Sequence, residues 1–323
     1  MKVGIIGNLG KVGRKREKII RDRYNHKVKG FDISLSKNLK EYGDWIGFIN
    51  KFKPDALFIS VPHTLTTDMV VYALNQNIHV FAEKPPGICL GDVVRMSKAL
   101  GIDTKLKFGF NHRYYKHIQL AKLHILCSDE LGKVQWLRGA YGKINMENWR
   151  RDKNLGGKGI LLSQGIHMVD LVRYLSGCEF DKVKSFTSHF TKNWYEDNVF
   201  ALLQSKTGIT ASIHSSCVMG RNTFQLDIGM EGGLISLSGL ITSTKSFGFP
   251  EQISISSLDD MTFYGNPVQT VTKFGIDTSW EQEVVEFFDC IKNEKDIIHG
   301  NISDAYEVMK LVDKVYKDGE NIQ

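Results

Sequence analysis

The chain has 323 residues, of which 42% are hydrophobic and 24% are charged, and its formal net charge is +6. This length allows two domains, and the composition is typical of a globular protein and excludes a disordered or fibrous chain. The lysines and arginines are spread along the sequence without a recognition motif, so we expect no nucleic-acid partner. A mildly basic surface suits an anionic small molecule.

The apolar stretches are all short. VGII at the N-terminus is too short for the core of a signal peptide, and no apolar segment approaches the roughly 20 residues that a membrane helix needs. The five scattered cysteines show neither zinc-ligand spacing nor a disulfide framework. We therefore expect no membrane partner and a cytoplasmic location.

A strand, a glycine turn and a helix open the chain. Residues 2–6 (KVGII) are strand-like, the glycine turn follows, and RKREKIIRDRY has the pattern of an exposed helix. Glycines let the backbone approach a pyrophosphate, and the helix N-terminus offers free N–H groups and the positive end of its dipole. The spacing is GxxGxxG and not the stricter GxGxxG, so a turn kept for steric reasons alone is the alternative. The candidate cofactor-binding residues here are Gly7, Leu9, Gly10, Lys11 and Val12.

A second short strand ends at Asp32, in HKVKGFDIS. A carboxylate at this place can accept hydrogen bonds from a ribose diol and repels a 2′-phosphate, which favours NAD over NADP. An ordinary turn or cap residue is the other interpretation of Asp32. Arg14, Lys15 and Arg16 follow the glycines closely and can accommodate an additional phosphate, so the cofactor preference stays open.

Short apolar strands alternate with helices through the first 110 residues. ALFISV (56–61), HVFA (79–82) and KLKFGF (105–110) are strand-like, and helical patterns separate them. The alternation predicts an α/β fold with a parallel, doubly wound sheet, where ligands bind at the carboxyl ends of the strands. Ser60, Pro62 and His63 follow one strand and are cofactor-side candidates, although such a histidine is more often a polar loop residue.

A charged pair stands where the strand of HVFAEKPPG stops. Glu83 and Lys84 are followed by Pro85 and Pro86, which fix the backbone and prevent further strand pairing. Lys84 is thus presented from a stiff support at a strand end, and we expect it to face a substrate beside a dinucleotide. A solvated lysine at a strand end is the alternative.

The sequence pattern changes between residues 115 and 130, from alternating strands and helices to successive strand-like segments. We predict a dinucleotide-binding domain over residues 1–118 and a substrate-binding domain over residues 119–323, the latter a mostly antiparallel sheet with two helices at the end. The last strand of the first domain is followed by Asn111, His112 and Arg113. These residues line a pocket, form a hinge into the second domain, or do both.

A glycine-rich segment leads into a helix within the second domain. Ser163, His167, Asp170 and Tyr174 repeat at helical intervals and share a face. A histidine has a suitable pKa to carry a hydroxyl proton beside a nicotinamide, and Lys84 can stabilise the developing oxyanion. The alternative is a His167 that is capped by Asp170 or packed at a domain interface. No third metal ligand accompanies His167 and Asp170, so no metal is predicted.

Together these motifs resemble the glucose-fructose oxidoreductase, inositol dehydrogenase and rhizopine-catabolism group, the Gfo/Idh/MocA family. The matching pieces follow the family's order along nearly the whole chain. They are VGIIGNLGKVG, the aspartate of GFDIS, ISVPHT, HVFAEKPP, FGFNHRY, GGKGILLSQGIHMVDLVRYLSG, YEDNVFALL and GMEGGLISL.

The resemblance implies a Rossmann domain followed by an α/β domain with a large, mostly antiparallel open sheet. That sheet often supports oligomers, so we expect a homo-oligomer, a dimer or a tetramer. The implied activity is NAD(P)-dependent oxidation or reduction of sugars, polyols or nucleotide sugars, and EKPP with LLSQGIH resembles members that serve surface-polysaccharide or unusual-sugar synthesis. The implied roles are catalytic for Lys84 and His167, cofactor-binding for Glu83 and Pro85, and pocket residues for Asn111, His112 and Arg113. Of the pocket residues we expect Asn111 to bind the cofactor and His112 and Arg113 to bind substrate, and we also expect Ser163 and Gln164 to bind substrate.

Three departures from the family pattern matter. Ser163 stands where members usually have an aspartate, Thr66 stands near the place of a histidine found in many members, and the glycine loop is one residue longer than usual. The change at Ser163 most limits the mechanism. The leading hypothesis is an active dehydrogenase or ketoreductase. The alternatives are a cofactor-binding protein without that activity, such as a sensor or partner subunit, and a lyase or glycosidase that oxidises its substrate transiently.

Overall fold

In the computed structural model the described residues are 1–32, 44–127, 129–144, 148–191, 195–242, 247–248, 250–261, 265 and 267–320. They form two compact units. The first consists of Met1–Phe110, Asn154–Gly157 and Trp280–Met309, and the second of Asn111–Lys153, Lys158–Ser279 and Lys310–Gln323. Each unit therefore draws on three segments of the chain, and a single domain boundary between residues 118 and 119 stays a proposal.

The first unit contains a five-stranded parallel sheet in the order β2-β1-β3-β4-β5. This arrangement confirms the predicted doubly wound sheet, and its order reverses between β1 and β3, which opens a crevice at their carboxyl ends. The strands are β1 (Lys2–Ile6), β2 (Lys27–Phe31), β3 (Ala56–Ile59), β4 (His79–Ala82) and β5 (Leu106–Phe108). The helices of this part of the chain are α1 (Lys11–Arg23), α2 (Trp45–Phe52), α3 (His63–Asn75) and α4 (Leu90–Ala99).

A helix from the C-terminal part of the chain completes the core of the first unit. This helix, α8 (Ser279–Lys292), buries Phe287 completely, and the Phe287 ring lies 5.5 Å from that of Phe58 and 5.6 Å from that of Phe81. A helix at the end of the chain was predicted, but its packing against the N-terminal sheet was not. Stacked and edge-on aromatic rings of this kind add to the stabilisation from buried area.

The second unit is built on an eight-stranded sheet in the order β13-β12-β11-β10-β6-β9-β8-β7. All neighbours are antiparallel except β6 and β9, which confirms the mostly antiparallel prediction. The strands are β6 (Val134–Gly142), β7 (Phe180–Ser188), β8 (Asn198–Ser205), β9 (Thr210–Ser216), β10 (Thr223–Met230), β11 (Gly233–Ser238), β12 (Glu251–Met261) and β13 (Pro267–Phe274). The last two were not predicted.

The remaining helices are α5 (Lys116–Cys127), α6 (Lys153–Gly156), α7 (Ile166–Ser176) and α9 (Ile302–Glu320). Glycines let α7 and the turn before it approach the sheet closely. A Cβ on Gly139 of β6 would lie 2.4 Å from the sulfur of Met168, and one on Gly165 would lie 2.4 Å from Ser215 Oγ. As a result α7 is buried on all sides from Ile166 to Arg173. The polar face predicted for this helix is therefore inside the unit.

The opposite face of the sheet carries exposed apolar side chains. Phe186, Phe200 and Leu202 expose 50 to 63% of their surface, and Phe200 stacks on His214 with ring centroids 3.8 Å apart. Phe186 and Phe200 are cross-strand partners on β7 and β8. An apolar patch of this kind on a sheet face marks an interaction surface more often than chance exposure does.

None of the helices in the described ranges is long and apolar enough to cross a membrane. All five cysteines are free thiols.

Candidate functional site

The glycine loop after β1 is folded tightly against the end of β3. Gly7 has a φ of +82°, and a Cβ there would lie 2.1 Å from the carbonyl oxygen of Ser60. A Cβ on Gly13 would lie 2.1 Å from the carbonyl oxygen of Gly7, which also accepts a 3.1 Å hydrogen bond from the Gly10 N–H. Backbone contacts therefore require glycine at positions 7 and 13, whereas a Cβ on exposed Gly10 would stay 3.3 Å from its nearest neighbour.

The N-terminus of α1 is suited to an anion. The helix begins at Lys11 with Gly10 as its N-cap, its first turn contains no acidic residue, and no side chain caps it. Its first N–H groups and its positive dipole end thus point out of the loop. The Asp32 carboxylate accepts a 3.1 Å hydrogen bond from the Leu9 N–H, so Asp32 holds the loop from the end of β2. This contact gives Asp32 the turn role, and the ribose role stays a prediction.

The residues predicted after β3 lie at its carboxyl end. Ser60 and Pro62 are half-buried, and Pro62 is the N-cap of α3. His63 is the first residue of that helix, is 4% exposed, and has its Nδ1 3.0 Å from the carbonyl oxygen of Gly156. His63 is thus a buried residue that anchors the Asn154–Gly157 segment, and not a polar loop residue.

Glu83 is held by an arginine that sequence reasoning placed on an exposed helix. Arg16 of α1 is completely buried, and its Nε donates to Glu83 Oε1 at 2.9 Å. Its Nη2 donates to Glu283 at 2.6 Å and its Nη1 to the carbonyl oxygen of Trp280 at 3.1 Å. The available signal was position: Arg16 lies in line with Val12, Ile19 and Ile20, on the apolar stripe of the helix.

Two further features concern the carboxylates that pair with Arg16. A Cβ on Gly109, just after β5, would lie 2.8 Å from Glu83 Oε2, so a glycine there leaves room for the carboxylate. Burial raises the pKa of Glu283 to about 7, against the lowering effect of Arg16. Glu83 therefore has a structural partner besides the cofactor-side role that we predict for it.

Lys84 lies in a compact turn at the end of β4. The Lys84–Pro85 peptide is cis, and Gly87 has a φ of +92° and donates from its N–H to the carbonyl oxygen of Pro85 at 2.9 Å. Pro85, Pro86 and Gly87 are buried, and Lys84 is half-buried. The backbone that carries Lys84 is thus fixed by packing, as the paired prolines predict.

Two histidines are stacked in the second unit. The rings of His112 and His167 lie 3.6 Å apart at 17° to each other, and both residues are buried. His112 Nδ1 is 3.1 Å from Asn111 Oδ1, and the Asn111 amide donates to Ser279 Oγ at 3.4 Å. Three predicted residues therefore form a row of contacts, in which Asn111 contacts His112 and His112 contacts His167.

A buried ion pair fixes this arrangement. Arg113 donates from Nε and Nη2 to the two oxygens of Asp170, at 2.9 and 2.6 Å. Asp170 is completely buried, and Arg113 is 3% exposed. The bidentate pair joins the 3₁₀ turn Asn111–Tyr114 to α7. Asp170 thus gives both of its oxygens to Arg113, and the proposed contact of Arg113 with substrate would be made beside this pair.

Ser163 and Gln164 lie in a π-helical turn, Leu161–Gly165, that runs directly into α7. Both are buried, and the Gln164 amide donates to Ser163 Oγ at 3.4 Å. π-helical turns are rare and are frequent at functional sites. The start of this turn is held by Glu196 and Tyr316, which sequence reasoning also missed. Over the described parts of the chain, no three His, Cys, Asp or Glu side chains are grouped as a metal ion would need.

The first unit fits a dinucleotide. The loop that a Cβ at Gly7 or Gly13 would fill, the uncapped start of α1 and the Asp32 carboxylate meet at the carboxyl ends of β1 and β2. These are the three elements that recognise a pyrophosphate and a ribose.

Two family patterns match this chain in order. Residues 1–105 match the oxidoreductase family with an NAD-binding Rossmann fold, and residues 121–236 match the GFO/IDH/MocA C-terminal domain. The chain belongs to the Gfo/Idh/MocA family. Membership confirms the resemblance seen in the sequence motifs.

Curated members of the Gfo/Idh/MocA family are similar over part of the chain. A D-glucoside 3-dehydrogenase of Escherichia coli (strain K12) is 28% identical over 141 residues, which are 42% of this chain and 39% of that protein. An inositol 2-dehydrogenase of Salmonella typhimurium is 24% identical over 206 residues, 61% of this chain and 59% of that protein. The matches thus span about two-fifths to three-fifths of the length of these relatives.

A solved structure shows the same fold over nearly the whole chain. The complex of levoglucosan dehydrogenase with NADH and levoglucosan superposes with a TM-score of 0.81 at 18% identity, covering 99% of this chain and 97% of that one. At this identity the similarity establishes the fold, a Rossmann sheet followed by a larger, mostly antiparallel sheet.

The glycine loop provides a matched test of the geometry. We expect Gly13→Ala to lower the free energy of unfolding by about 2 kcal/mol or more and to weaken NAD binding, because the new methyl group meets backbone atoms that cannot move independently. Gly10→Ala, at an exposed position with room for a Cβ, should change the stability by less than about 1 kcal/mol. Urea unfolding of both variants measures this, and equal destabilisation would contradict the loop geometry.

Proposed function

We propose that this protein is an NAD-dependent oxidoreductase that interconverts a hydroxyl and a ketone on a sugar, a polyol or a nucleotide-linked sugar. The observation that carries the proposal is the placement of Lys84 on a rigid turn at the carboxyl end of β4, in the same sheet as the glycine loop of β1. The names of the relatives, which are dehydrogenases of glucosides, levoglucosan and inositol, support this substrate class.

The residues of the chain supply what the reaction needs besides the hydride acceptor. A bound NAD would be held by the glycine loop, the start of α1 and Asp32, and it would supply the hydride-transfer chemistry. Lys84 hydrogen-bonds the reacting oxygen and stabilises the negative charge that develops on it. His167 takes the hydroxyl proton, a role for which an imidazole is suited.

The structure supports His167 in this role through its surroundings. The His167 ring is stacked on the ring of His112, which is oriented by Asn111. The Arg113–Asp170 pair ties the helix that carries His167 to the 3₁₀ turn Asn111–Tyr114. A side chain that is locked by packing holds the geometry that proton transfer requires. Ser163 and Gln164, one turn earlier, are proposed to contact substrate hydroxyls.

We expect Lys84→Ala to lower kcat by about 100-fold or more, in the range that general acid–base catalysis supplies, while the Kd for NAD changes little. The measurement is nicotinamide absorbance with a panel of free polyols, sugars and nucleotide sugars, and Lys98→Ala, an exposed lysine of the same unit, is the control. A Lys84→Ala variant with wild-type turnover would refute the catalytic assignment. Wild-type protein that binds NAD but turns over no substrate would favour the cofactor-binding alternative.

The cofactor preference depends on the charge of Asp32. We propose NAD rather than NADP, because the carboxylate at the end of β2 would repel a 2′-phosphate. Asp32→Asn keeps an oxygen that can accept from the Leu9 N–H and removes the charge. We expect this variant to raise the ratio of NADP to NAD affinity about tenfold, as measured by calorimetry; an unchanged ratio would show that Asp32 does not face the ribose.

We also propose that the exposed face of the eight-stranded sheet binds a second copy of the chain. Phe186, Phe200 and Leu202 expose half or more of their surface there, and apolar side chains grouped on an exposed face are typical of an interaction surface. Sedimentation velocity should show a dimer or a tetramer, and Phe200→Asp should shift it toward the monomer. A monomeric wild-type protein at micromolar concentration would refute this.

A further inference from the structure

The carboxylate of Glu196 accepts three hydrogen bonds inside the second unit. Its Oε2 accepts from the Gly159 N–H at 3.0 Å, and its Oε1 accepts from the Leu161 N–H at 3.1 Å and from the Tyr316 hydroxyl at 2.7 Å. The hydroxyl of Tyr316 in turn accepts from the Leu162 N–H at 3.2 Å. Glu196 is 6% exposed, so these contacts replace nearly all of its hydration.

These N–H groups open the helix on which the candidate catalytic residues lie. The π-helical turn begins at Leu161, carries Ser163 and Gln164, and continues into α7 with His167. The first N–H groups of a helix have no partner within it, and a carboxylate both accepts from them and complements the helix dipole. Glu196 therefore fixes the point at which this helix starts.

The residues around Glu196 leave room for its carboxylate and hold its backbone in place. A Cβ on Gly159 would lie 2.1 Å from Glu196 Oε2, so only glycine lets the carboxylate reach the N–H groups. The Glu196 carbonyl oxygen accepts from the Ile160 N–H at 3.1 Å. The next residue, Asp197, is completely buried and accepts from the N–H groups of Phe190 and Thr191. The segment that presents Glu196 is thus itself anchored.

We propose that Glu196, in its ionised form, is a positioning residue for the reaction: it sets the start of the π-helical turn and thereby the places of Ser163, Gln164 and His167. The inference rests on the proposed function for its catalytic consequence. The structural part, the dependence of the turn on the carboxylate, stands independently of the substrate.

The ionised form makes the strongest bonds to these donors. The three donors use three of the four acceptor positions of a carboxylate, and a hydrogen bond to an ionised oxygen is roughly twice as strong as one to a neutral oxygen, whereas an amide replaces one oxygen by a donor. Leaving a buried N–H without an acceptor costs free energy. Protonation of Glu196 should therefore loosen the turn.

The protonation state of Glu196 changes near neutral pH. Burial raises the pKa of Glu196 to about 7, although the Tyr316 hydroxyl and the N–H groups lower it in part. Burial, and next the negative charge of Glu196, raises the pKa of Tyr316 well above its ordinary value, so Tyr316 stays a donor. The charged groups beside Tyr316 are Lys158, whose Nζ lies 4.5 Å from the ring centroid, and Asp313, which pairs with Lys158 at 3.1 Å.

Stability and activity should respond to pH in opposite directions. Because the folded-state pKa of Glu196 lies above its unfolded value, its contribution to stability is present below pH 4.5 and is lost as the pH rises through about 7. Activity should instead rise over the upper part of that range, since ionisation secures the turn. A residue with a merely structural role would not show this opposition.

The test compares Glu196→Gln and Tyr316→Phe with the wild type. Glu179→Gln is the matched control, because Glu179 is a carboxylate that pairs with Arg173 near the other end of α7. The readouts are the pH profile of kcat, the Kd for NAD, and hydrogen exchange of the amides of residues 159–167. Exchange needs no substrate and is measured on the full chain.

We expect Glu196→Gln to lower kcat about tenfold or more, to change the Kd for NAD less than twofold, and to accelerate exchange about tenfold in residues 159–167. The wild-type profile should show an acidic step near pH 7 from Glu196, and the profile of Glu196→Gln should lack it. Tyr316→Phe removes a donor to the carboxylate, so it should move the Glu196 step to higher pH. Glu179→Gln should leave the profile unchanged.

Wild-type exchange in residues 159–167 of Glu196→Gln would overturn the inference, and so would an unchanged pH profile. If Glu196→Gln does not fold, Tyr316→Phe decides, because it keeps the carboxylate; an unmoved acidic step in that variant would also overturn the inference. If the wild type turns over no sugar or polyol, the proposed function fails, and the exchange data alone decide whether Glu196 positions the turn.

Discussion

Arg16 is a charge taken completely out of water, and the first unit is arranged around it. Burying an ion costs several kcal/mol unless partners compensate, and here Glu83, Glu283 and a backbone carbonyl do so. Removing one partner would leave a buried charge and cost about 3–5 kcal/mol. Arg16 therefore ties α1 and α8 to the end of β4, directly before the turn that carries Lys84.

The second unit contains two further buried carboxylates whose hydrogen bonds join separate segments of the chain. Asp170 and Arg113 join α7 to the segment after β5, and Glu196 joins the start of the π-helical turn to α9 through Tyr316. The two contacts differ in kind. The first is a closed ion pair, whereas Glu196 accepts only from neutral donors, so its ionisation is costly and its pKa rises to about 7.

Local patterns explain what the sequence predicts well. Runs such as ALFI and HVFA indicate buried parallel strands, the glycine spacing locates the loop, and paired prolines locate the stiff turn of Lys84. Arg16 was assigned to an exposed helix, which is wrong, because its partners lie more than 260 residues away in Glu283 and Trp280. Glu196 and Tyr316 are likewise 120 residues apart and leave no local pattern. Contacts of this range arise only from the tertiary fold.

The serine at position 163 has a physical explanation in this fold. Ser163 is completely buried in a turn whose first N–H groups already face the Glu196 carboxylate. An aspartate there would place a second buried charge on the same turn, whereas a hydroxyl is neutral and accepts from the Gln164 amide. The departure from the family pattern at Ser163 is thus consistent with the placement of Glu196. Glu196, the carboxylate at the start of this helix, lies in the segment before β8.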